Sequence, residues 1–173
     1  EILMSGCELT RLHIDLLRQV APVEIVLMSG NHDRAASISV LLYLDAWFRG
    51  EPDVTVTLCP KARQYIVYES TLLGFTHGDG PRKLEDLESI MASEASEMWG
   101  KTLHRAWFTG HRHHEMVKDL RGCTIYQLPS LSGRDRWHFH HGYASRKGLA
   151  AHIVDAMEGV VCSLMAPVLD SAS

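Results

Sequence analysis

The sequence predicts an α/β fold with mixed sheets. In the first half of the chain, short apolar runs of strand length alternate with segments whose apolar residues recur at helical spacing. The second half is mainly a succession of strands, and polar loops rich in Asn, His and Gly follow three of the predicted strands. Ligand sites of open α/β sheets lie beyond the carboxyl ends of their strands, so we expect one site built from these three loops.

Two helices are predicted around the first strand. Ser5 and Glu8 have the spacing of a capping box, and Pro22 ends the helix that follows. The residues predicted to share one face of this helix are Leu9, Leu12, Leu16, Leu17 and Val20. Residues 23–28 are apolar on both faces, which is typical of an inner strand covered on both sides. A second helix is predicted over residues 35–48, with its inward side formed by Ile38, Leu41, Leu42 and Phe48.

The rest of the chain is predicted as strands interrupted by one helix. Residues 83–98 have helical spacing of their apolar side chains, which are Leu84, Leu87, Met91, Ala95 and Met98. The predicted strands cover residues 54–58, 64–68, 72–76, 106–109, 116–118, 124–128, 149–155 and 160–165, with a hairpin turn at residues 156–159. The chain contains no repeat or low-complexity linker, and we expect a single domain over residues 1–173.

Composition excludes several classes of protein. The net charge of −4 at pH 7 argues against nucleic-acid binding driven by net charge alone. The four cysteines are scattered and form no CxxC pair, a pattern typical of reduced thiols rather than of a disulfide framework. No apolar run approaches the roughly 20 residues that a membrane span needs. These features predict a cytoplasmic protein with no membrane partner.

The three polar loops carry groups that can bind a metal ion or a phosphate. The first, residues 30–33, reads Gly-Asn-His-Asp, the second, residues 77–79, reads His-Gly-Asp, and the third, residues 110–113, reads Gly-His-Arg-His. His111 and His113 would point opposite ways in an extended segment, but in a loop that begins with glycine they can address two adjacent metals. Nitrogen and oxygen ligands without thiolates suit Mn²⁺, Fe²⁺ or Zn²⁺.

Each loop alone has a simpler interpretation. Asn, Asp and Gly favour turns, and neighbouring histidines also occur on solvated loops. The occurrence of all three loops in this order, each at a strand end, favours a shared site.

In this order, GNHD, HG and GHxH resemble motifs three to five of the calcineurin-like metallophosphoesterases, with the match carried by residues 29–114. The resemblance implies a layered α/β/β/α fold with mixed sheets and hydrolysis of phosphoric mono- or diesters, with nucleotides or nucleic-acid ends as candidate substrates. It also implies two divalent ions, Mn²⁺, Fe²⁺ or Zn²⁺, which activate a hydroxide for attack on phosphorus. More narrowly, GNHDR, MASEASEMWG, GHRHH and the Asp-Arg-Trp-His of residues 135–138 resemble phosphoesterases of phages and prophages. A phage-encoded protein would act in the host cytoplasm.

The resemblance assigns roles to individual residues. It implies that Asn31, His77 and His111 ligate the second metal, and that His113 ligates the first. His32 would act as the acid that faces the leaving-group oxygen, with Asp33 tuning it. Arg34 and Arg112 adjoin the motifs and are candidates to hold phosphate oxygens, or else are solvated surface residues.

The sequence departs from the family at its start. Neither the Asp-x-His nor the Gly-Asp-x-x-Asp motif that supplies the remaining metal ligands occurs before residue 31. One explanation is an N-terminally truncated domain whose first strands precede Glu1, which would hold one metal or none. The other is a degenerate, non-catalytic module that binds metal or nucleotide on the same fold. A third hypothesis is a structural domain braced by a single zinc ion, which would unfold cooperatively on chelation.

A second histidine cluster lies near the carboxyl terminus. His138, His140 and His141 follow Trp137, and the aromatic Phe139 and Tyr143 favour a packed loop over a further metal site.

Overall fold

The structure is a computed structural model that describes residues 1–59, 61–131 and 147–168. It has a mixed α/β architecture with a mixed sheet, which confirms the predicted fold class. The chain divides into two compact units, Glu1–Ala62 and a second unit that begins at Arg63. The single domain over residues 1–173 stays a prediction. Among the described residues, no helix has the length and apolar character needed to cross a membrane. The second histidine cluster and residues 135–138 lie outside the described residues.

The first unit consists of two helices and a parallel pair of strands. Helix α1 covers Ile2–Leu17, strand β1 Val23–Val26, helix α2 Arg34–Trp47 and strand β2 Val54–Thr57. Strands β1 and β2 pair in register from Val23 opposite Val54. The core cluster of the unit consists of Ile14, Leu44, Phe48 and Val54. The predicted strand at residues 23–28 is therefore confirmed, although it is two residues shorter and only half-buried.

Helix α1 corrects two sequence expectations. It begins at Ile2, so Ser5 and Glu8 lie inside the helix, where Glu8 pairs with Arg11 instead of capping. Its buried residues are Cys7 and Ile14. The five residues predicted to share one apolar face are exposed, from 47% at Leu12 and Leu17 to 89% at Val20. Apolar residues surround much of this helix, so their spacing identifies a helix without identifying the stripe that packs.

Only some of the residues predicted to face inward from helix α2 are buried. Leu41 and Phe48 are buried as predicted, and Leu44 joins them at 2% exposure. In contrast, Ile38 and Leu42 are 42% and 54% exposed. The face of α2 that packs on β1 and β2 therefore contains fewer of its apolar residues than the sequence pattern predicted.

The second unit is built on a five-stranded mixed sheet. Its strands are β3 Arg63–Tyr68, β4 Thr71–Thr76, β5 His104–Thr109, β6 Met116–Asp119 and β7 Thr124–Gln127, in the spatial order β3-β4-β5-β7-β6. The three central strands β4, β5 and β7 are parallel, and the outer strands β3 and β6 pair antiparallel to their neighbours. All five strands lie within two residues of the sequence prediction at each end.

Two short helices, α3 Asp86–Glu94 and α4 Ser96–Lys101, cover one face of this sheet. The single helix predicted over residues 83–98 is wrong because the backbone leaves helical geometry at Ala95, with φ −118° and ψ 38°. Leu87, Met91 and Trp107 are fully buried between the helices and the sheet. The Trp107 indole N–H donates to the Leu87 carbonyl at 2.9 Å, which satisfies the polar atom of this large buried ring.

Strands β8 Gly148–Asp155 and β9 Gly159–Pro167 form an antiparallel hairpin. Its predicted turn at residues 156–159 is confirmed, and the Asp155 carboxylate accepts the backbone N–H groups of Met157 and Glu158 there. His152 of β8 packs on the ring of Phe108 at 4.8 Å and on that of Tyr126 at 5.0 Å. The hairpin therefore covers part of the second face of the five-stranded sheet.

Candidate metal centre

Two of the three predicted loops meet at the carboxyl ends of neighbouring parallel strands. Strands β4 and β5 pair with Thr76 opposite Thr109, so that His77 and Gly110 leave the sheet side by side. The Gly110 N–H donates to the His77 carbonyl at 3.0 Å, which extends the ladder by one bond beyond the strands. The register of the sheet thereby brings the HG and GHxH motifs together.

The imidazoles of His77 and His111 face each other at this point. The Nε2 atom of His77 lies 3.3 Å from the Nδ1 atom of His111, and the two ring centroids are 5.1 Å apart at an angle of 71°. His77 is half-buried and His111 is exposed, so the pair is open to an incoming ion. Two nitrogens bound to one tetrahedral zinc ion at about 2.0–2.1 Å lie about 3.3–3.4 Å apart. The observed separation is that of a hydrogen bond between the two rings, and it equals the spacing of two nitrogen ligands of one ion.

The backbone of these loops adopts conformations that most residues avoid. Gly78 has φ +101°, and the non-glycine residues His111 and His113 have φ +66° and +56°. Left-handed backbone is uncommon for side chains other than Asn, Asp and His, and such outliers cluster at ligand sites. A β-carbon at Gly78 would lie 3.4 Å from the Gly110 carbonyl oxygen, so the two loops pass at van der Waals distance.

Gln127 holds the third loop in place through a hydrogen bond to its backbone. It is 1% exposed at the end of β7, and its side-chain amide donates to the His114 carbonyl at 2.8 Å. The Nδ1 atom of His114 lies 2.9 Å from the Arg112 carbonyl and therefore carries the proton of that bond. Sequence analysis did not identify Gln127, although a polar residue at the end of a predicted strand was the available signal.

Arg112 directly follows His111 in the chain and Asp79 lies two residues after His77, and both are exposed. The backbone N–H of Arg112 donates to the Gly110 carbonyl at 2.9 Å, so the chain turns directly after the strand. Contact of the Arg112 guanidinium with a phosphate oxygen stays a prediction.

His113 is half-buried on the GHxH loop of the second unit, and its metal role stays a prediction; the other predicted site residues belong to the first unit. Asn31, His32 and Asp33 form a turn after β1, with Arg34 opening α2, and all four are exposed. Asp33 occupies the N-cap position of α2 without a side-chain capping hydrogen bond. Their roles at a metal or a phosphate stay predictions.

The residues that the structure describes contain no group of three or more His, Cys, Asp or Glu side chains that could hold a metal ion. His77 and His111 thus supply a pair of nitrogen donors rather than a complete ligand set. Their donor type and separation fit a divalent ion such as Zn²⁺ or Mn²⁺, and a tight site needs further ligands.

Comparison with known proteins supports the motif-based resemblance. No protein-family profile matches the chain. Over 98 residues the chain is 31% identical to a probable cyclic nucleotide phosphodiesterase of Psychrobacter arcticus, a match covering 52% of this chain and 35% of that protein. This chain resembles the calcineurin-like metallophosphoesterases. It spans about a third of the length of that curated relative. The narrower likeness to phage and prophage enzymes stays a prediction.

The solved structures similar to this chain include Vps29 of Entamoeba histolytica. A double mutant of Vps29 superposes with a TM-score of 0.46 at 14% identity, covering 91% of this chain and 89% of that chain. Wild-type Vps29 in complex with zinc superposes with a TM-score of 0.45 at 12% identity, covering 91% and 88%.

Proposed function

We propose that this chain carries part of the active site of a metal-dependent phosphoesterase that hydrolyses phosphoric mono- or diesters, with nucleotides as candidate substrates. The observation that carries this proposal is the His77–His111 pair, whose ring nitrogens lie 3.3 Å apart at the ends of adjacent parallel strands. The similarity to a probable cyclic nucleotide phosphodiesterase supports the class of reaction. The binding partner expected for this reaction is a phosphoester substrate.

The proposed roles follow the order of the motifs. His77 and His111 hold one divalent ion together with Asn31, and His113 serves a second ion. A bound divalent ion supplies Lewis acidity, which lowers the pKa of water and neutralises phosphate oxygens. His32 donates a proton to the leaving-group oxygen, and Asp33 orients its ring. Arg34 and Arg112 hold phosphate oxygens through charge-assisted hydrogen bonds.

Hydrolysis of bis-p-nitrophenyl phosphate and of p-nitrophenyl phosphate tests the proposal in the presence of Mn²⁺. We expect release of nitrophenolate from at least one substrate by the full chain, and at least about a hundredfold loss in His77→Ala and in His111→Ala. His13→Ala is the matched control, because His13 is exposed on α1 outside the motifs. Cleavage of neither substrate, or equal rates in all four proteins, would contradict the proposal.

A second candidate is a non-catalytic module that binds metal or nucleotide. It is favoured by the lack of Asp-x-His and Gly-Asp-x-x-Asp before residue 31, and by the absence of a three-ligand group among the described residues. This module would bind Mn²⁺ in a calorimetric titration and release no nitrophenolate. Metal binding with hydrolysis therefore selects the enzyme, and metal binding without hydrolysis selects the module.

A further inference from the structure

Three buried polar residues form one row at the carboxyl ends of the central parallel strands. Thr76, Thr109 and Gln127 end β4, β5 and β7, and the register of the sheet places each beside the next. Paired residues of neighbouring strands share one face of the sheet. Trp107, two residues before Thr109, identifies that face as the one that α3 and α4 cover. The row therefore lies between the apolar core and the loops that carry the histidines.

Polar side chains in this row are unfavourable for stability. The next row towards the amino ends is apolar and consists of Gly74, Trp107 and Ile125, as expected for a covered parallel sheet. In the polar row, Thr109 Oγ1 and Gln127 Oε1 are buried without a hydrogen-bond partner among the described residues. Burying such atoms costs stability, and natural proteins keep groups of this kind mainly at functional sites.

Gln127 lies where the connection between β5 and β6 crosses the sheet. Strand β7 lies between these two strands in the spatial order, so residues 110–115 pass over its carboxyl end. The Gln127 side-chain amide donates to the His114 carbonyl at 2.8 Å. His114 follows His113 by one residue and His111 by three. A side chain of the sheet therefore holds the third loop next to its predicted metal ligands.

The third loop needs this support because its backbone is strained. His111 and His113 have φ angles of +66° and +56°. Left-handed backbone at residues other than glycine persists where surrounding contacts enforce it. The hydrogen bonds within the loop fix its shape but do not attach it to the sheet. The bond from Gln127 attaches it to β7, so this side chain contributes to the position of the His111 ring opposite His77.

We propose that Gln127 is a positioning residue of the metal site, an inference that rests on the proposed function. It keeps the His111 ring 3.3 Å from the His77 ring, the spacing of two ligands of one ion. The amide acts through the backbone of the third loop. Because the amide is otherwise unfavourable in the core, a variant that lacks it should stay folded and bind metal less tightly.

Ring-nitrogen signals of the metal-free full chain test the positioning without any metal. Gln127→Met keeps the length of the side chain and removes its donor. In long-range ¹H–¹⁵N spectra at fixed pH, we expect the His77 and His111 ring signals to move towards those of the exposed His13, because the hydrogen bond between the two rings is lost. The Trp107 indole signal should stay unchanged, since that group lies in the core. Unchanged ring signals of both histidines would overturn the proposal.

Calorimetric titration with Mn²⁺ measures the consequence for the site. Gln127→Met should bind Mn²⁺ at least about tenfold more weakly than the parent, as changes to the groups that orient metal ligands do elsewhere. Binding of equal strength would overturn the positioning role and leave the proposed function intact. Ring signals that move in Gln127→Met, in a chain whose parent binds no Mn²⁺, would contradict the proposed function and support the positioning of the rings.

Thr71→Val is the matched control. Thr71 is fully buried, and its Oγ1 atom also has no hydrogen-bond partner among the described residues. It begins β4 at the amino end and lies on the opposite face of the sheet from Gln127. Both measurements should match the parent in this variant. Equal changes in Thr71→Val and Gln127→Met would mean that any loss of a buried polar atom disturbs the rings, and would overturn the proposal.

Gln127→Asn extends the test to a variant that keeps a polar amide at this buried position, for the case in which Gln127→Met does not fold. Asn is one methylene shorter, so its amide cannot reach the His114 carbonyl without a shift of the third loop. We expect the ring signals and the Mn²⁺ affinity to change in the same direction as in Gln127→Met. Ring signals and Mn²⁺ affinity equal to those of the parent would overturn the proposal.

Discussion

The two ends of the parallel strands β4, β5 and β7 carry different chemistry. At the carboxyl end, His77 and His111 lie on loops with left-handed backbone and direct ring nitrogens towards each other at 3.3 Å. At the amino end, the Arg105 guanidinium lies over the Trp99 ring and donates to the Trp99 and Thr102 carbonyls, whereas Thr71 is fully buried on the other face of the sheet. The carboxyl end therefore presents ring nitrogens that can bind a cation, whereas the amino end uses its arginine to join a strand to the neighbouring helix.

This difference follows from how each end is built. The carboxyl end is formed by loops, where glycine and positive φ angles allow two segments of the chain to approach each other closely. The residues at the amino end belong to strands or to a two-residue turn, so the hydrogen bonds of the sheet fix the positions of their backbone. Changes to the shared strands should disturb both ends, and changes to a loop should disturb one.

The largest expected effect comes from Gly74→Ala in the middle of β4. A β-carbon there would lie 2.5 Å from Met91 Cε and 2.7 Å from Trp107 Cε3, so the buried core must shift. We expect a loss of about 1–3 kcal/mol in the free energy of unfolding, measured by urea denaturation, and weaker Mn²⁺ binding at the carboxyl end.

Gly100→Ala is the control for this change. Gly100 lies in α4, and a β-carbon there would meet nothing within 4 Å, so the variant should gain about 0.5–1 kcal/mol. Equal stability of Gly74→Ala and the parent would mean that β4 does not pack as described.

A smaller effect, confined to the carboxyl end, is expected for Gly78→Ala. The φ angle of +101° strains any residue with a β-carbon, although the nearest contact of that atom would be an ordinary 3.4 Å. We expect a loss of about 1–2 kcal/mol in unfolding free energy, with reduced Mn²⁺ affinity in calorimetry.

Gly80→Ala is the matched control two residues further on. Its φ angle is not in the left-handed region, and its β-carbon would lie 3.9 Å from Arg63 Nη1. Its stability should stay within about 0.5 kcal/mol of the parent. Stability of Gly78→Ala equal to that of the parent would contradict the left-handed backbone at this position.

The strands of the second unit could be predicted from sequence because apolar runs with polar boundaries identify them. The carboxyl-end loops could be predicted because histidines follow β4 and β5 directly. The buried face of α1 could not be predicted, since Leu9 and Leu12 have the helical spacing of a buried face and yet are exposed. The break at Ala95 was likewise missed, because alanine is a good helix former and its backbone geometry is set by packing.

The smallest expected effect is a pH dependence at the amino end. Burial raises the pKa of the Cys123 thiol from 9.0 to about 12, with Glu88 raising it further and Arg105 opposing. The folded chain therefore keeps this proton where the unfolded chain loses it. The corresponding stability is fully present below pH 9 and is lost as the pH rises towards 12.

Comparison with Cys123→Ala isolates this dependence from other groups that titrate in the same range. The free energy of unfolding of the parent should fall more steeply with rising pH above 9 than that of the variant. Parallel curves for the two proteins would mean that the thiol is not buried.

The metal content of the purified full chain, measured by inductively coupled plasma mass spectrometry, tests the carboxyl-end site most directly. After exposure to Mn²⁺ or Zn²⁺ and removal of excess ion, we predict about one metal ion per chain. The His77→Ala/His111→Ala double variant should retain none, and His13→Ala should match the parent. No metal in the parent, or equal metal in the parent and the double variant, would contradict a metal site at the histidine pair.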